Sequence, residues 1–175
     1  MTKGRILLKL VLDKIGLGEL PVGTFSKRLM LQKKVYLLQV TGLELGYRYN
    51  WYLRGPYCPA LTRDAFTLKE ELASGEQDYE DYALRQDALL RLRKAEEIWE
   101  VPGDISIEPE FWVELLASLH YLKHIAYWRG SNVTTEAVFA KLKEAKPQFA
   151  DRADLIERVR RKLGEIGLWD HATLM

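Results

Sequence analysis

The chain has 175 residues, and its 26 lysines and arginines nearly cancel its 25 aspartates and glutamates, which leaves a formal net charge of +1. This length predicts one domain with a core of useful size, and the charge balance gives no whole-chain reason to expect nucleic acid or an anionic membrane as the partner. The single cysteine excludes an internal disulfide and an all-cysteine metal site. Neither a signal peptide nor the ~20 apolar residues of a membrane span is recognisable, so the sequence predicts a cytoplasmic protein without a membrane partner.

The first forty residues predict two helices. A first helix spans 4–15, and a second runs from Lys27 to about Val40. Thr24 or Ser26 can cap the second helix, because a hydroxyl accepts hydrogen bonds from the unpaired N–H groups of a first turn. The residues of this helix that are expected to face the core are Leu31, Val35 and Leu38. The lysines that are expected on its surface are Lys27, Lys33 and Lys34.

The next stretch predicts a strand, a tight turn and a third helix. Aromatic and polar residues alternate from Tyr47 to Arg54, which is the period of a strand with one buried face. The residues expected inside are Tyr47, Tyr49 and Trp51, and those on the opposite face are Arg48, Tyr52 and Arg54. Gly55 and Pro56 end the strand. A helix then begins with Cys58 as its N-cap and continues to about Ala73, because Pro59 is well tolerated in a first helical turn.

The remaining chain predicts four more helices. A polar loop over 74–82 leads to a helix over 83–99, and the VPGD sequence at 101–104 breaks the chain before a long helix that opens at Pro109. This helix extends to about Tyr127 and is followed by a turn at 130–132. The last two helices are capped by Thr134 and Asp151 and end at Ala145 and Gly167.

These elements predict a mainly α-helical bundle with a short strand or hairpin. Residues 1–100 form a helix–strand–turn–helix unit, which also has the size and content of a winged helix. Residues 101–175 form a helical part that packs on this unit within one domain.

Several runs of the sequence carry a family resemblance. LQKKVYLLQ and GYRYNWYLRGPYCPAL resemble the signature of the YwgA-like proteins of bacteria and archaea, and more distantly the Panacea (SocA-like) antitoxin domain. FWVELLASLHYL and VFAKLKEAKPQF are similar to the YwgA-like pattern as well, so the resemblance covers roughly 25–169. The positions that match are Gln32, Lys33, Tyr36, Gly55, Pro56 and Tyr57. Cys58 departs from the pattern, which usually has serine there.

The resemblance implies a fold and a kind of function. In the Panacea domain, a helix of the LQK form leads to a strand and then to a Gly-Pro turn. Panacea domains are implied to bind protein toxins without catalysing a reaction, and the YwgA-like family implies no settled activity.

Three groups of residues are candidates for catalysis or metal binding. His120 and His124 lie four positions apart on one helix, a spacing that can place two imidazoles on one metal. A third ligand would have to come from Glu114, Asp170 or His171, and structural zinc normally has four ligands, so no metal is predicted.

Cys58 and the carboxylates are the other two groups. A helix N-terminus can activate a thiol, but a cysteine in place of a capping serine is the simpler interpretation of Cys58. Glu110 and Glu114, or the acidic residues of the 74–82 loop, can pair as acid and base, yet charged side chains are usually solvated. We therefore predict that the protein is not an enzyme and has no cofactor.

The function predicted is a non-catalytic regulatory or antitoxin-like module that binds a protein, for example a toxin. The aromatic and basic face of the strand would contact the partner, and the Gly-Pro corner would present it. The residues predicted to bind are Lys33, Lys34, Arg48, Tyr52, Arg54, Gly55, Pro56 and Tyr57. A homo-oligomer is compatible with the sequence.

The alternative is a regulator that binds nucleic acid in the manner of a winged helix. Its contacts would come from basic residues at the start of the second helix and in the last one. These residues are Lys27, Arg28, Arg158, Arg161 and Lys162.

Overall fold

A computed structural model describes residues 1–20, 22–125 and 133–170. Within these residues there are seven α-helices and one two-stranded antiparallel hairpin. The helices are α1 (Lys3–Lys14), α2 (Phe25–Val40), α3 (Pro59–Ala73), α4 (Gln86–Trp99), α5 (Pro109–His124), α6 (Thr135–Ala145) and α7 (Ala153–Glu165). The strands are β1 (Asn50–Tyr52) and β2 (Gly55–Tyr57). This confirms the mainly α-helical class with a minor β component.

Two helices lie at the centre of the fold. In α5, every residue from Trp112 to Leu122 is buried, and this helix packs against α2, α4, α6, α7 and β2. In α2, nearly every residue from Leu31 to Val40 is buried as well. A helix that is apolar on most sides can only be stable when neighbours cover it all round, so the remaining helices wrap this central pair.

Most helix starts follow the predicted capping residues. The Thr24 hydroxyl accepts from the Lys27 N–H at 3.2 Å, and the Thr134 hydroxyl accepts from the Ala137 N–H at 3.2 Å. Cys58 is the N-cap of α3, with no hydrogen bond from its side chain, and the helix ends at Ala73 as predicted.

Two boundaries differ from the prediction. Asp151 does not cap α7: Arg152 is the N-cap, and no side chain there accepts from the first turn. The predicted helix over 83–99 begins only at Gln86, because the segment before it runs in extended form across α1.

The hairpin is shorter than the predicted strand and includes the residues that were expected to end it. Asn50 pairs with Tyr57, Trp51 with Pro56, and Tyr52 with Gly55. The prediction that Gly55 and Pro56 only terminate a strand is therefore wrong. Proline is tolerated here because a two-stranded hairpin leaves both strands at an edge.

Some predictions fall on residues outside the described part of the chain. They are the turn at 130–132, the end of the long helix near Tyr127, and the guess that His171 is a metal ligand. None of the helices in the described residues combines the length and the apolar character that crossing a bilayer requires.

Candidate functional site

Two glutamines of α2 hold the chain on either side of the hairpin. The Gln39 amide donates to the Tyr47 carbonyl at 2.8 Å and accepts from the Tyr47 N–H at 2.9 Å. The Gln32 amide does the same with Cys58, donating to its carbonyl at 2.9 Å and accepting from its N–H at 2.8 Å. Because each amide satisfies both backbone groups of a non-helical residue, the hairpin is fixed at both ends on one rigid helix.

Gly55 of the hairpin lies against α5 in the core. Its φ of +83° lies in the left-handed region, which favours glycine. A Cβ at this position would collide with Ser118 Oγ of α5. Gly55 and Pro56 are buried where the hairpin meets α5, and their predicted role in binding a partner stays a prediction.

Lys33 is also buried, with 1% of its surface exposed, and the prediction that it lies on the surface is wrong. The reason is that neighbours cover α2 on nearly every side. Its ammonium nitrogen donates to the Pro56 carbonyl at 2.6 Å, which ties α2 to β2. Burial, together with the nearby charge of Lys146, lowers the Lys33 pKa to about 7, and Glu114 opposes the shift.

A buried ion pair lies behind the hairpin. Glu114 of α5 and Lys146, which follows α6, are both fully buried and bonded to each other. Lys146 also donates to the Leu53 carbonyl at 3.4 Å, and the Arg54 guanidinium lies 3.6 Å from the second Glu114 oxygen. Burial lowers the Lys146 pKa, and Glu114 counteracts this. The pair therefore links α5, the end of α6 and the hairpin tip.

Sequence reasoning missed most of this cluster. The sequence suggested Glu114 only as a metal ligand or as an acid–base partner of Glu110. It suggested no role for Lys146. The available signal was the position of Glu114 inside the apolar run WVELLASL, where a charge must be buried and paired. No comparable signal marks Lys146.

A groove of about 520 Å³ opens beside the hairpin. Aromatic and aliphatic side chains are exposed around it: Phe25 at 61%, Tyr52 at 47% and Leu53 at 85%. The same groove is lined by three cationic residues from α2 and the hairpin. They are Arg28, Lys33 and Arg54. Among the described residues that line the groove, none is an aspartate or a glutamate.

The predicted binding residues divide between this groove and other places. Five of them line the groove: Lys33, Tyr52, Arg54, Gly55 and Tyr57. The rings of Tyr52 and Tyr57 meet edge to face at 5.2 Å between centroids. Lys34 instead packs over the Trp99 ring of α4, with its nitrogen 4.8 Å from the ring centroid. Arg48 is exposed but is not among the residues that line the groove.

The rings of His120 and His124 contact each other, with His120 buried in the core and His124 half-buried. The Tyr36 hydroxyl and His120 Nδ1 are 2.7 Å apart, and His124 Nε2 lies 2.9 Å from the Leu168 carbonyl. Burial lowers the His120 pKa to about 3, with a further contribution from His124. Within 1–20, 22–125 and 133–170, no three histidine, cysteine or acidic residues come together as metal ligands.

Two of the five basic residues of the nucleic-acid alternative lie in ion pairs. Arg158 pairs with Asp104, and Arg161 lies 3.2 Å from Glu157. Lys27 is exposed at the start of α2, and Lys162 is half-buried. Arg28 donates to the Val22 carbonyl at 2.8 Å and belongs to the groove.

No protein-family model, curated protein or solved structure matches this chain. The resemblance to the YwgA-like and Panacea families stays a prediction from the motif residues.

Proposed function

We propose that the protein is a non-catalytic interaction module of the cytoplasm, and that it binds an acidic and apolar segment of a partner protein in the groove beside the hairpin. The observation that carries this proposal is the composition of the groove. Three large apolar side chains are exposed around it, and its charged residues are all cations. Aromatic residues and arginine dominate the binding energy of protein interfaces, and opposite charge selects the partner.

The support beneath the groove favours binding over catalysis. The hairpin is fixed by Gln32, Gln39, Lys33 and the buried pair of Glu114 and Lys146. A surface that is already rigid loses little conformational entropy when a partner docks. The side chains of Gln32, Lys33 and Lys146 beneath the groove bond to backbone groups of the hairpin segment and so hold this surface in place.

The motif residues add weight to the proposal. Gln32, Lys33 and Gly55, which carry the resemblance to the Panacea domain, are the residues that seat the hairpin. Panacea domains are implied to bind protein toxins, and a toxin is accordingly one kind of partner that the groove would serve.

The test begins with a pair of matched variants. In the groove variant, Tyr52→Ala and Leu53→Ala remove two exposed side chains from the hairpin. In the control variant, Phe66→Ala and Leu90→Ala remove two exposed side chains from α3 and α4. Both variants should melt close to the wild type, because exposed side chains contribute little to stability.

The partner is first sought by affinity capture from the native host and then reconstituted from purified proteins. We expect the groove variant to weaken the reconstituted complex at least about tenfold and the control variant to leave it unchanged. Hydrogen exchange in the complex should slow at 25–29 and 52–57. A complex that survives in the groove variant would contradict the proposal. Binding to nucleic acid with a steep loss of affinity in salt would favour the alternative.

A further inference from the structure

The described residues that line the groove include three cationic side chains and no carboxylate. Lys33 has three N–H donors as an ammonium, and in the described residues its hydrogen bond to the Pro56 carbonyl uses one of them. Arg28 is bonded to a backbone carbonyl. Arg54 lies 3.6 Å from Glu114, but 44% of its side chain remains exposed.

A buried ammonium without a carboxylate is costly, and proteins normally pair such a charge. Glu114 opposes the lowering of the Lys33 pKa, but it shares its charge among Lys33, Lys146 and Arg54. The groove that Lys33 lines gives a carboxylate from outside the chain a route to this ammonium.

We propose that the floor of the groove, formed by Lys33, Arg28 and Arg54, is a carboxylate subsite that holds an acidic side chain or the C-terminus of the partner segment. The inference rests on the proposed function and specifies the chemistry of its partner. The apolar side chains Phe25, Tyr52 and Leu53 would contact the residue next to that carboxylate. A volume of about 520 Å³ is sufficient for an aromatic carboxylate of small-molecule size.

The surroundings of the subsite favour a carboxylate over a phosphate. The subsite combines a mainly apolar rim with an amine that is buried and nearly dehydrated. Arginine forms two parallel hydrogen bonds with a carboxylate as readily as with a phosphate, so the guanidinium groups do not decide between them. A dianion would require a larger desolvation cost at this rim.

The protonation of Lys33 links the subsite to pH. Four charged residues surround Lys33, each on a different part of the fold. They are Glu114 on α5, Lys146 after α6, Arg54 on the hairpin and Arg28 on α2 itself. A bound carboxylate would raise the Lys33 pKa above its free value of about 7, so the protein should take up a proton when it binds at pH 8. Affinity should be highest below pH 7 and should fall by at most about tenfold per pH unit above it.

The probe is a pair of small molecules that differ in one charge. Phenylacetate carries an aromatic ring and a carboxylate, and phenylacetamide has the same shape without the charge. The full chain with ¹³C-labelled lysine is titrated with each at pH 6.5 and observed by NMR at the Lys33 side chain and the Gly55 amide. We expect half-saturation with phenylacetate at a concentration at least about tenfold lower than with phenylacetamide.

Variants assign this difference to the subsite. Lys33→Met should abolish the proton uptake, measured by calorimetry at pH 8 in two buffers of different ionisation enthalpy. Arg54→Gln, at a half-exposed position, keeps the test valid if Lys33→Met does not fold, and it should bring the two probes within about threefold. Arg161→Gln on α7 is the control and should leave the preference for phenylacetate intact.

Three outcomes would overturn the inference or its basis. Equal half-saturation by both probes would show that there is no carboxylate subsite. Phenyl phosphate binding at least about tenfold tighter than phenylacetate would reassign the site to a phosphate-bearing ligand. A preference for phenylacetate, together with a partner that still binds the Tyr52→Ala and Leu53→Ala variant, would refute the proposed function and leave the anion site standing.

Discussion

The groove beside the hairpin and the surface of α7 both carry clusters of arginine and lysine, but their cations have different neighbours. On α7, Arg160 and Arg161 are paired with Glu157, and Arg158 with Asp104. Beside the hairpin, Lys33 lacks a carboxylate of its own among the described residues, and the one acidic group nearby is buried with Lys146.

This difference shows that a count of basic residues does not locate a binding surface. The three arginines of α7 are already paired, two with Glu157 within a turn of the helix and Arg158 with Asp104. Such exposed pairs contribute little to stability or to the field. The cations of the groove keep a positive potential in a partly enclosed space, where solvent screens it less. The distribution of carboxylates therefore distinguishes the two regions.

The largest expected difference between the two regions comes from removing an acidic residue in each. Glu114→Gln leaves Lys146 buried without a counter-charge and should lower the free energy of unfolding by about 3–5 kcal/mol. Glu157→Gln on α7 should cost less than about 1 kcal/mol, because its ion pairs are partly exposed. Urea unfolding of both variants measures this, and similar small losses would show that the Glu114 pair is solvated.

Gly55→Ala should have the next largest effect. The positive φ should cost about 1–2 kcal/mol, and the collision with Ser118 should add about 1–3 kcal/mol. Gly75→Ala is the matched control, because Gly75 has a φ of +86° but open space around it. Equal losses in the two variants, measured by urea unfolding, would mean that the hairpin is not seated on α5.

The pH dependence of the free energy of unfolding measures the contribution of the buried Lys33. In the unfolded chain Lys33 keeps its proton up to a pKa near 10.5, whereas in the folded chain it releases it at about 7. Between these values the unfolded state binds more protons, so stability rises with pH. From pH 7 to 9 the wild type should gain about 2 kcal/mol more than Lys33→Met. The same gain in both proteins would place the effect elsewhere.

Cys58→Ser should have the smallest effect. A serine at the N-cap can accept a hydrogen bond that the Cys58 side chain does not make, and it should stabilise α3 by at most about 1 kcal/mol. Partner binding should be retained. Thermal melting and the reconstituted complex test this, and a loss of binding would indicate a chemical role for the thiol.

The sequence was sufficient to predict elements that depend on local signals. Thr24, Cys58 followed by Pro59, and Thr134 mark the starts of α2, α3 and α6, because caps act within one turn of the chain. The start of α5 at Pro109 is likewise marked by a local signal, a proline in the first helical turn.

The candidate site depends on contacts that the sequence does not display. Lys33 is buried because α5, α4 and β2 cover α2 from separate directions, and nothing next to Lys33 in the chain distinguishes it from an exposed lysine. Lys146 contacts Glu114 although 32 positions separate them in the chain. Gly55 lies against Ser118 although α3 and α4 come between them in the sequence. Only Glu114, inside an apolar run, gave a usable sign of a buried charge.

The most direct test of the groove is an NMR titration of the Lys33 side chain in the free protein. A buried ammonium without a carboxylate partner should titrate with a midpoint near pH 7. Addition of phenylacetate should move that midpoint upward. A midpoint near the ordinary lysine value of 10.5, unchanged by phenylacetate, would show a solvated amine and would contradict the proposed subsite.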